Sequence, residues 1–167
     1  LKHEAGKAVL RRLVETADVL VENFRPGVME RLGVGHEALK GVNPRLIYCA
    51  ISGFGQDGPM RGSPAYDQII QGLSGVMSIT GDSESAPLRV GYPVADSIGG
   101  MTAAFAIAAA LAGRERSGEG AFIDVSMLES TIATMGWVVS NYLIAGQQPT
   151  PCDTSLRPPA IYSPEGM

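Results

Sequence analysis

The stretch "RLIYCAISGF", residues 45–54, decides the fold. It is apolar, includes the β-branched Ile47 and Ile51, and runs into the glycine-rich segment "GFGQDGPMRGSP". This pattern predicts a β-strand that ends in a loop. Upstream, "DVLVENF" (18–24) is short and rich in valine and leucine, which is typical of a strand buried in a parallel sheet. Downstream, "GEGAFIDVSM" (118–127) predicts a turn followed by a third strand.

Helical segments separate these strands. In the first of them, "KAVLRRLVETA", the apolar residues fall on one helical stripe and the charged residues fall outside it. The predicted helices cover residues 7–17, 25–34, 36–44, 65–77, 97–113 and 128–146. Strands that alternate with helices predict an α/β domain with a mainly parallel sheet and helices on both faces. We expect residues 1–146 to form part of a large α/β domain, and residues 147–167 to form a linker that enters a second domain.

Composition excludes several classes of protein. Hydrophobic residues make up 45% of the chain and charged residues 18%, so the chain can bury a core and is unlike a disordered one. The net charge of -4 argues against binding to nucleic acid, which requires a basic surface. Residues 1–15 are charged and amphipathic, so we expect no signal peptide. The uncharged run 97–113 is shorter than the roughly 20 apolar residues that span a bilayer, which predicts a buried helix and no membrane association.

The cysteines and histidines predict no metal site. Cys49 and Cys152 lack the spacing of a metal-binding set and do not form a disulfide framework, which favours a reducing, cytoplasmic location. His3 and His36 have no cysteine or carboxylate cluster beside them.

A single carboxylate, Asp96, stands before the uncharged run 97–113. On spacing alone, the more common interpretation is that Asp96 is the N-cap of this helix. The alternative is chemical, because the N–H groups and partial positive charge of a helix N-terminus stabilise an ionised carboxylate. Such a carboxylate can attack an acyl carbon while the same N–H groups hold the oxyanion. The two roles are compatible.

The segment "VENFRPGVMERLG", residues 21–33, combines Asn23, Phe24, Arg25 and Arg31 just after a predicted strand. An adenine nucleotide would use an aromatic wall, an amide and arginines for its phosphates. When such a segment stands alone, it is more common that the phenylalanine packs in the core and the arginines are solvated. The glycine-rich segment at residues 53–58 lacks the Lys-Ser/Thr of a P-loop and the spacing of a dinucleotide fingerprint.

Taken together, five segments resemble the family III coenzyme A-transferases, which include formyl-CoA transferase, carnitine CoA-transferase and alpha-methylacyl-CoA racemase. The segments are "ADVLVENFRPGVMERLG", "NPRLIYCAISGFGQDGP", "AYDQIIQGLSGVMSITG", "PVADSIGGMTAAFAIAAAL" and "RERSGEGAFIDVSMLES", in that order. The resemblance covers about residues 6–166. It implies that the chain is the central part of a longer protein, mostly from an incomplete, nucleotide-fold-like large domain, and that the complete protein is an interlocked homodimer.

The resemblance also implies roles for particular residues. The catalytic aspartate of the family falls on Asp96, which in transferases attacks an acyl-CoA to give an aspartyl anhydride and free CoA. Asn23, Phe24, Arg31 and Met127 match positions that contact CoA. Coenzyme A and its thioesters are then substrates, together with a small carboxylic acid, and no prosthetic group is implied.

Two departures from the family pattern bear on function. Tyr66 stands where racemases have a catalytic histidine, and a tyrosine with a pKa near 10 is a poor base at neutral pH. Pro64 stands where some formyl-CoA transferases have a CoA-binding lysine. A transferase is therefore favoured, and the alternatives are a racemase or epimerase of acyl-CoA and a CoA-binding fragment without catalysis.

Overall fold

The computed structural model of the chain describes residues 1–151. Its core is a three-stranded sheet in the order β1 (Val19–Glu22), β2 (Ile47–Ser52) and β3 (Ala121–Ser126). Both neighbouring pairs are parallel, with Val19 opposite Ile47 and Ile47 opposite Ala121. The predicted parallel α/β architecture is confirmed. Of the predicted linker, residues 152–167 lie outside the described part of the chain, so that assignment stays a prediction.

Seven α-helices accompany the strands within the described residues, and a 3₁₀ turn covers Val76–Ile79. The helices are α1 (Glu4–Val14), α2 (Val28–Arg31), α3 (His36–Lys40), α4 (Asp67–Ser74), α5 (Val94–Ser117), α6 (Met127–Thr134) and α7 (Gly136–Ala145). The prediction of one helix over residues 128–146 is wrong. Met135 leaves helical geometry with φ −90° and ψ 24°, and the following Gly136 favours a break because glycine weakens a helix.

The central strand β2 alternates between two cores. Tyr48 and Ala50 belong to a buried cluster with residues from α1, α2 and α3. Cys49 and Ile51 instead contact Ala103 of α5 and the neighbouring strand β3. Because successive side chains of a strand point to opposite faces, this division places helices on both faces of the sheet, as predicted.

Helix α5 departs from the sequence prediction in its exposure. Its small buried residues recur every fourth position, at Ala95, Gly99 and Ala103, and form one narrow stripe against the sheet and the neighbouring helices. On other sides of the helix, Met101 is 73% exposed and Phe105 is 81% exposed. Within residues 1–151 the predicted burial of this helix is therefore limited to one stripe, since no described residue covers its other faces.

By length and composition alone, α5 is also apolar enough to cross a membrane, with a mean hydropathy of 1.6 in its most apolar window. It is the one helix among the described residues that meets this test. The prediction that this segment is too short to span a bilayer is therefore wrong on length, because α5 has 24 residues. Within the described residues α5 packs against β2, β3, α4 and α6.

The amino edge of the sheet is fastened by the last turn of α5. Arg114 is buried there, and its Nη2 donates a hydrogen bond of 2.6 Å to Asp18 Oδ1. Its Nη1 donates to the carbonyl oxygen of Arg45 at 3.0 Å. Just beyond the helix, the backbone of Gly120 passes so close to β2 that a Cβ atom there would lie 2.0 Å from the carbonyl oxygen of Leu46. One side chain and one glycine thus hold the starts of the three strands together.

We expect Arg114→Met to lower the free energy of unfolding of the complete protein that contains residues 1–167. The substitution keeps much of the side-chain volume and leaves buried carbonyl acceptors without donors, which costs about 1–3 kcal/mol. Arg116→Met in the same turn is the matched control, because Arg116 is exposed. Urea denaturation measures both variants, and equal losses would contradict the role given to Arg114.

Candidate active site

The loops that follow β1 and β2 are tied together at the carboxyl edge of the sheet. Asn23 Nδ2 donates a hydrogen bond of 2.8 Å to the carbonyl oxygen of Ile51. This bond holds the turn after β1 against the end of β2, and within the turn the N–H of Phe24 donates to Glu22 Oε2 at 2.7 Å. In open α/β sheets this edge is where ligands bind.

Asp96 is not the N-cap that its spacing suggested. Helix α5 begins at Val94, so Asp96 is the third residue of its first turn, and the cap position is Pro93, which contributes no side-chain hydrogen bond. The cap comes from another helix: Asp67 Oδ1 accepts from the N–H of Ala95 at 2.8 Å and from the N–H of Asp96 at 3.4 Å. Asp67, the first residue of α4, therefore caps the N-terminus of α5.

The Asp96 side chain lines a cavity of about 300 Å³ at this edge. Asn23, Phe24 and Met127 line the same cavity, so the structure brings together four of the five residues that the resemblance assigned. Arg31 does not line it. That residue lines an adjoining cavity of about 370 Å³, and the two cavities share Pro26 and Arg61 on their walls.

Two residues on these walls were missed by the sequence analysis. Ser52 is the last residue of β2, is 5% exposed, and its hydroxyl has no hydrogen-bond partner among the described residues. Its position at the carboxyl end of a predicted strand is the feature of the sequence that could have indicated Ser52. Arg61 lies on the exposed loop after β2 and lines both cavities, a position that no local pattern in the sequence indicates.

The surroundings of Asp96 disfavour its charge. Partial burial raises the pKa of the Asp96 carboxyl above its ordinary value, and the neighbouring Asp67 carboxylate raises it further. The pKa of Glu22 is also raised, mainly by burial and partly by Glu30, although the N–H of Phe24 opposes the shift. A carboxylate held at higher energy in a cavity is a candidate for chemistry.

Comparison with known proteins matches the chain to one family. The model of the family described as CoA-transferase family III matches residues 1–163. The chain therefore belongs to CoA-transferase family III, and the resemblance drawn from its five segments is confirmed.

Curated relatives of the chain are longer proteins. Over 150 residues it is 48% identical to the acetyl-CoA:oxalate CoA-transferase of Acetobacter aceti, covering 89% of this chain and 39% of the relative. It is 46% identical over 149 residues to the succinate–glutarate CoA-transferase of Agrobacterium fabrum, covering 89% and 37%. The chain thus spans less than half the length of these relatives.

The fold also matches solved structures of the family. A CaiB/BaiF family protein from Brucella suis superposes with a TM-score of 0.86 at 39% identity, over 89% of this chain and 39% of that protein. This likeness supports the incomplete α/β domain described above.

Proposed function

We propose that the protein containing this chain is a CoA-transferase that moves CoA from an acyl-CoA to a carboxylic acid, with Asp96 as the covalent nucleophile. One observation carries the proposal. The Asp96 carboxylate lines a single cavity together with Asn23, Phe24 and Met127, the positions that family resemblance associates with CoA. The named relatives, which are CoA-transferases, support it.

The proposed chemistry begins with attack by an Asp96 carboxylate oxygen on the thioester carbonyl carbon. The new C–O bond forms as the C–S bond breaks, and the sulfur leaves as the CoA thiolate with the bonding electrons, which gives a mixed anhydride. The acceptor carboxylate then attacks the aspartyl carbonyl carbon and displaces the donor acid. Finally, the thiolate attacks the acyl carbon of the new anhydride, which releases the new acyl-CoA and restores Asp96. No step requires a proton.

The side chains around Asp96 suggest where each substrate lies. Phe24 is 49% exposed and offers an aromatic surface to the adenine or pantetheine portion of CoA. Arg31 and Arg61 in the adjoining cavity offer guanidinium groups suited to phosphates. The relatives are named for oxalate, succinate and glutarate, all of them dicarboxylic acids, so we propose small dicarboxylic acids as the first substrates to assay. Arg25, on the wall of the Asp96 cavity, has the charge to pair with a second carboxylate.

We expect Asp96→Ala and Asp96→Asn to abolish CoA transfer while leaving the affinity for CoA within severalfold of the wild-type value. Both variants lose the nucleophile, and Asp67 rather than Asp96 caps α5, so helix formation is preserved. Incubation of the complete protein with succinyl-CoA, hydroxylamine trapping and mass spectrometry should detect a modified Asp96 peptide only in the wild type.

Transfer by Asp96→Asn, with deamidation excluded, would disprove the nucleophile assignment. Exchange of the α-proton of an acyl-CoA in D₂O without transfer to any acid would instead indicate a racemase. Binding of CoA with neither reaction would indicate a fragment without catalysis.

We expect Arg31→Ala to raise the KM for acyl-CoA far more than it lowers kcat. A charge-assisted hydrogen bond to a phosphate contributes about 1.5–3 kcal/mol, which corresponds to a rise in KM of roughly 10- to 100-fold. The matched control is Arg116→Ala, since Arg116 is exposed at the far end of α5. Steady-state kinetics measure both, and an unchanged KM in Arg31→Ala would place its guanidinium in solvent.

We also propose that the complete protein is an intimate homodimer. The exposed apolar face of α5, with Met101 and Phe105, and the exposed Val21 on the edge strand β1 are surfaces that soluble proteins normally cover. A second copy of the chain and the remainder of the polypeptide are the proposed cover, following the family resemblance.

Residues 1–167 alone should therefore be poorly soluble or self-associated, and the complete protein should elute as a dimer. Size-exclusion chromatography with light scattering measures both. Met101→Lys combined with Phe105→Lys in residues 1–167 should reduce self-association, because the charges interrupt the apolar face. A monodisperse, cooperatively melting monomer of unmodified residues 1–167 would contradict the proposal.

A further inference from the structure

We propose that Asp67 is a positioning residue for the transfer reaction: its carboxylate caps α5 from the neighbouring helix α4 and thereby fixes Asp96 on the wall of the cavity. The inference rests on the proposed function of Asp96. It assigns Asp67 a part in the reaction without contact with the reacting atoms.

The geometry of Asp67 is that of a buried group whose two oxygens are both used. The residue is 6% exposed. Its Oδ1 accepts from the N–H groups of Ala95 and Asp96, and its Oδ2 accepts from Gln71 Nε2 at 2.6 Å. Burying a carboxylate is costly unless hydrogen bonds satisfy it. The Asp67 carboxylate is satisfied only while the first turn of α5 keeps its place, because two of its hydrogen bonds come from that turn.

Gln71 extends the same attachment along the segment that leads into α5. It is fully buried one helical turn after Asp67, and its Oε1 accepts from the N–H of Val90 at 2.8 Å. Its Nε2 also lies 3.4 Å from the carbonyl oxygen of Tyr92. Two side chains of α4 therefore bind four backbone groups of the segment 90–96. Because Pro93 offers no side-chain cap, α5 depends on α4 for its start.

This attachment matters for chemistry because Asp96 is itself exposed. Its side chain has no hydrogen-bond partner of its own to orient it among the described contacts, so the backbone of the first turn sets its place. A displacement of about 1 Å in a reacting group can cost about 100-fold in rate. The Asp67 charge also repels an ionised Asp96, and acylation of Asp96 removes that repulsion.

The ionisable groups around Asp96 determine how kcat should depend on pH. The ionisable side chains that share its cavity are Arg25, Arg61, Tyr66 and Asp67, while α6 and β2 contribute Met127 and Ser52. Of these, Asp67 raises the pKa of Asp96. Removing the Asp67 charge should therefore lower that pKa, and activity that requires ionised Asp96 should persist to lower pH.

The experiment compares Asp67→Ala, Asp67→Asn and the double variant Asp67→Asn with Gln71→Glu in the complete protein, using succinyl-CoA as donor. In Asp67→Asn, the amide nitrogen meets the donor Nε2 of Gln71, so one hydrogen bond is lost. In the double variant, the introduced glutamate accepts both from that amide and from the N–H of Val90, which restores these two hydrogen bonds but not the longer one to the carbonyl oxygen of Tyr92. Asp57→Ala, on the exposed loop after β2, is the matched control for loss of a carboxylate.

We normalise kcat to the fraction of enzyme whose Asp96 hydroxylamine can trap, so that unfolded protein is not counted. In Asp67→Ala this normalised kcat should fall about 10- to 100-fold, while the KM for acyl-CoA changes less than about threefold. The double variant should recover most of the kcat lost in Asp67→Asn, and the acid limb of kcat in Asp67→Asn should move to lower pH. Recovery in the double variant keeps the test valid if Asp67→Ala does not fold.

A kcat per trappable Asp96 within twofold of the wild type in Asp67→Ala or Asp67→Asn would overturn the inference and leave the proposed function intact. An acid limb that does not move, with no recovery in the double variant, would also overturn it, since Asp67 would then only stabilise the fold. Absence of trapped Asp96 in the wild type would overturn the proposed function, and this inference with it.

Discussion

The hydrogen bonds from the first turn of α5 to the Asp67 carboxylate determine where the longest helix of the domain begins. At its other end, the buried guanidinium of Arg114 binds Asp18 and the carbonyl oxygen of Arg45. Between these two points α5 contacts the sheet mainly through small residues, which bury little apolar area per contact. Its position therefore depends on polar attachments at both ends, and the candidate nucleophile Asp96 takes part in the first of them through its own N–H group.

The small residues of α5 have a structural explanation in the distance between elements. A Cβ atom on residue 99 would lie 3.1 Å from Met127 Cγ, which is tighter than ordinary van der Waals contact. Gly99 thus lets the start of α6 approach α5 closely, and this approach brings Met127 to the wall of the cavity that Asp96 lines. Close approach on one face thus explains the small residues of α5, whereas its apolar composition predicted only that the helix is buried.

Local patterns were sufficient to predict the strands, most helices and the parallel sheet, because apolar periodicity and turn residues act over a few positions. They failed where distant residues decide the structure. The cap of α5 comes from Asp67, 29 positions before Asp96 in the chain, so spacing near Asp96 pointed to the wrong cap. Likewise, Arg61 reaches both cavities from an exposed loop that is distant in sequence from Asp96. The sequence also did not predict that Arg31 and Asp96 line two different cavities, because the wall between them forms only when the chain folds. The family resemblance supplied candidate site residues that composition and spacing left undecided, and their roles stay predictions.

The amino and carboxyl ends of the strands differ in how many substitutions they can accept. At the amino edge, Gly120 has no room for a side chain against Leu46, and the buried Arg114 donates to the backbone carbonyls of Asp18 and Arg45. At the carboxyl edge, the cavity walls are largely loop residues such as Phe24, Arg25 and Arg61. Substitutions in the loops at the carboxyl edge can therefore reshape the cavity without rebuilding the amino edge of the sheet, both in evolution and in protein engineering.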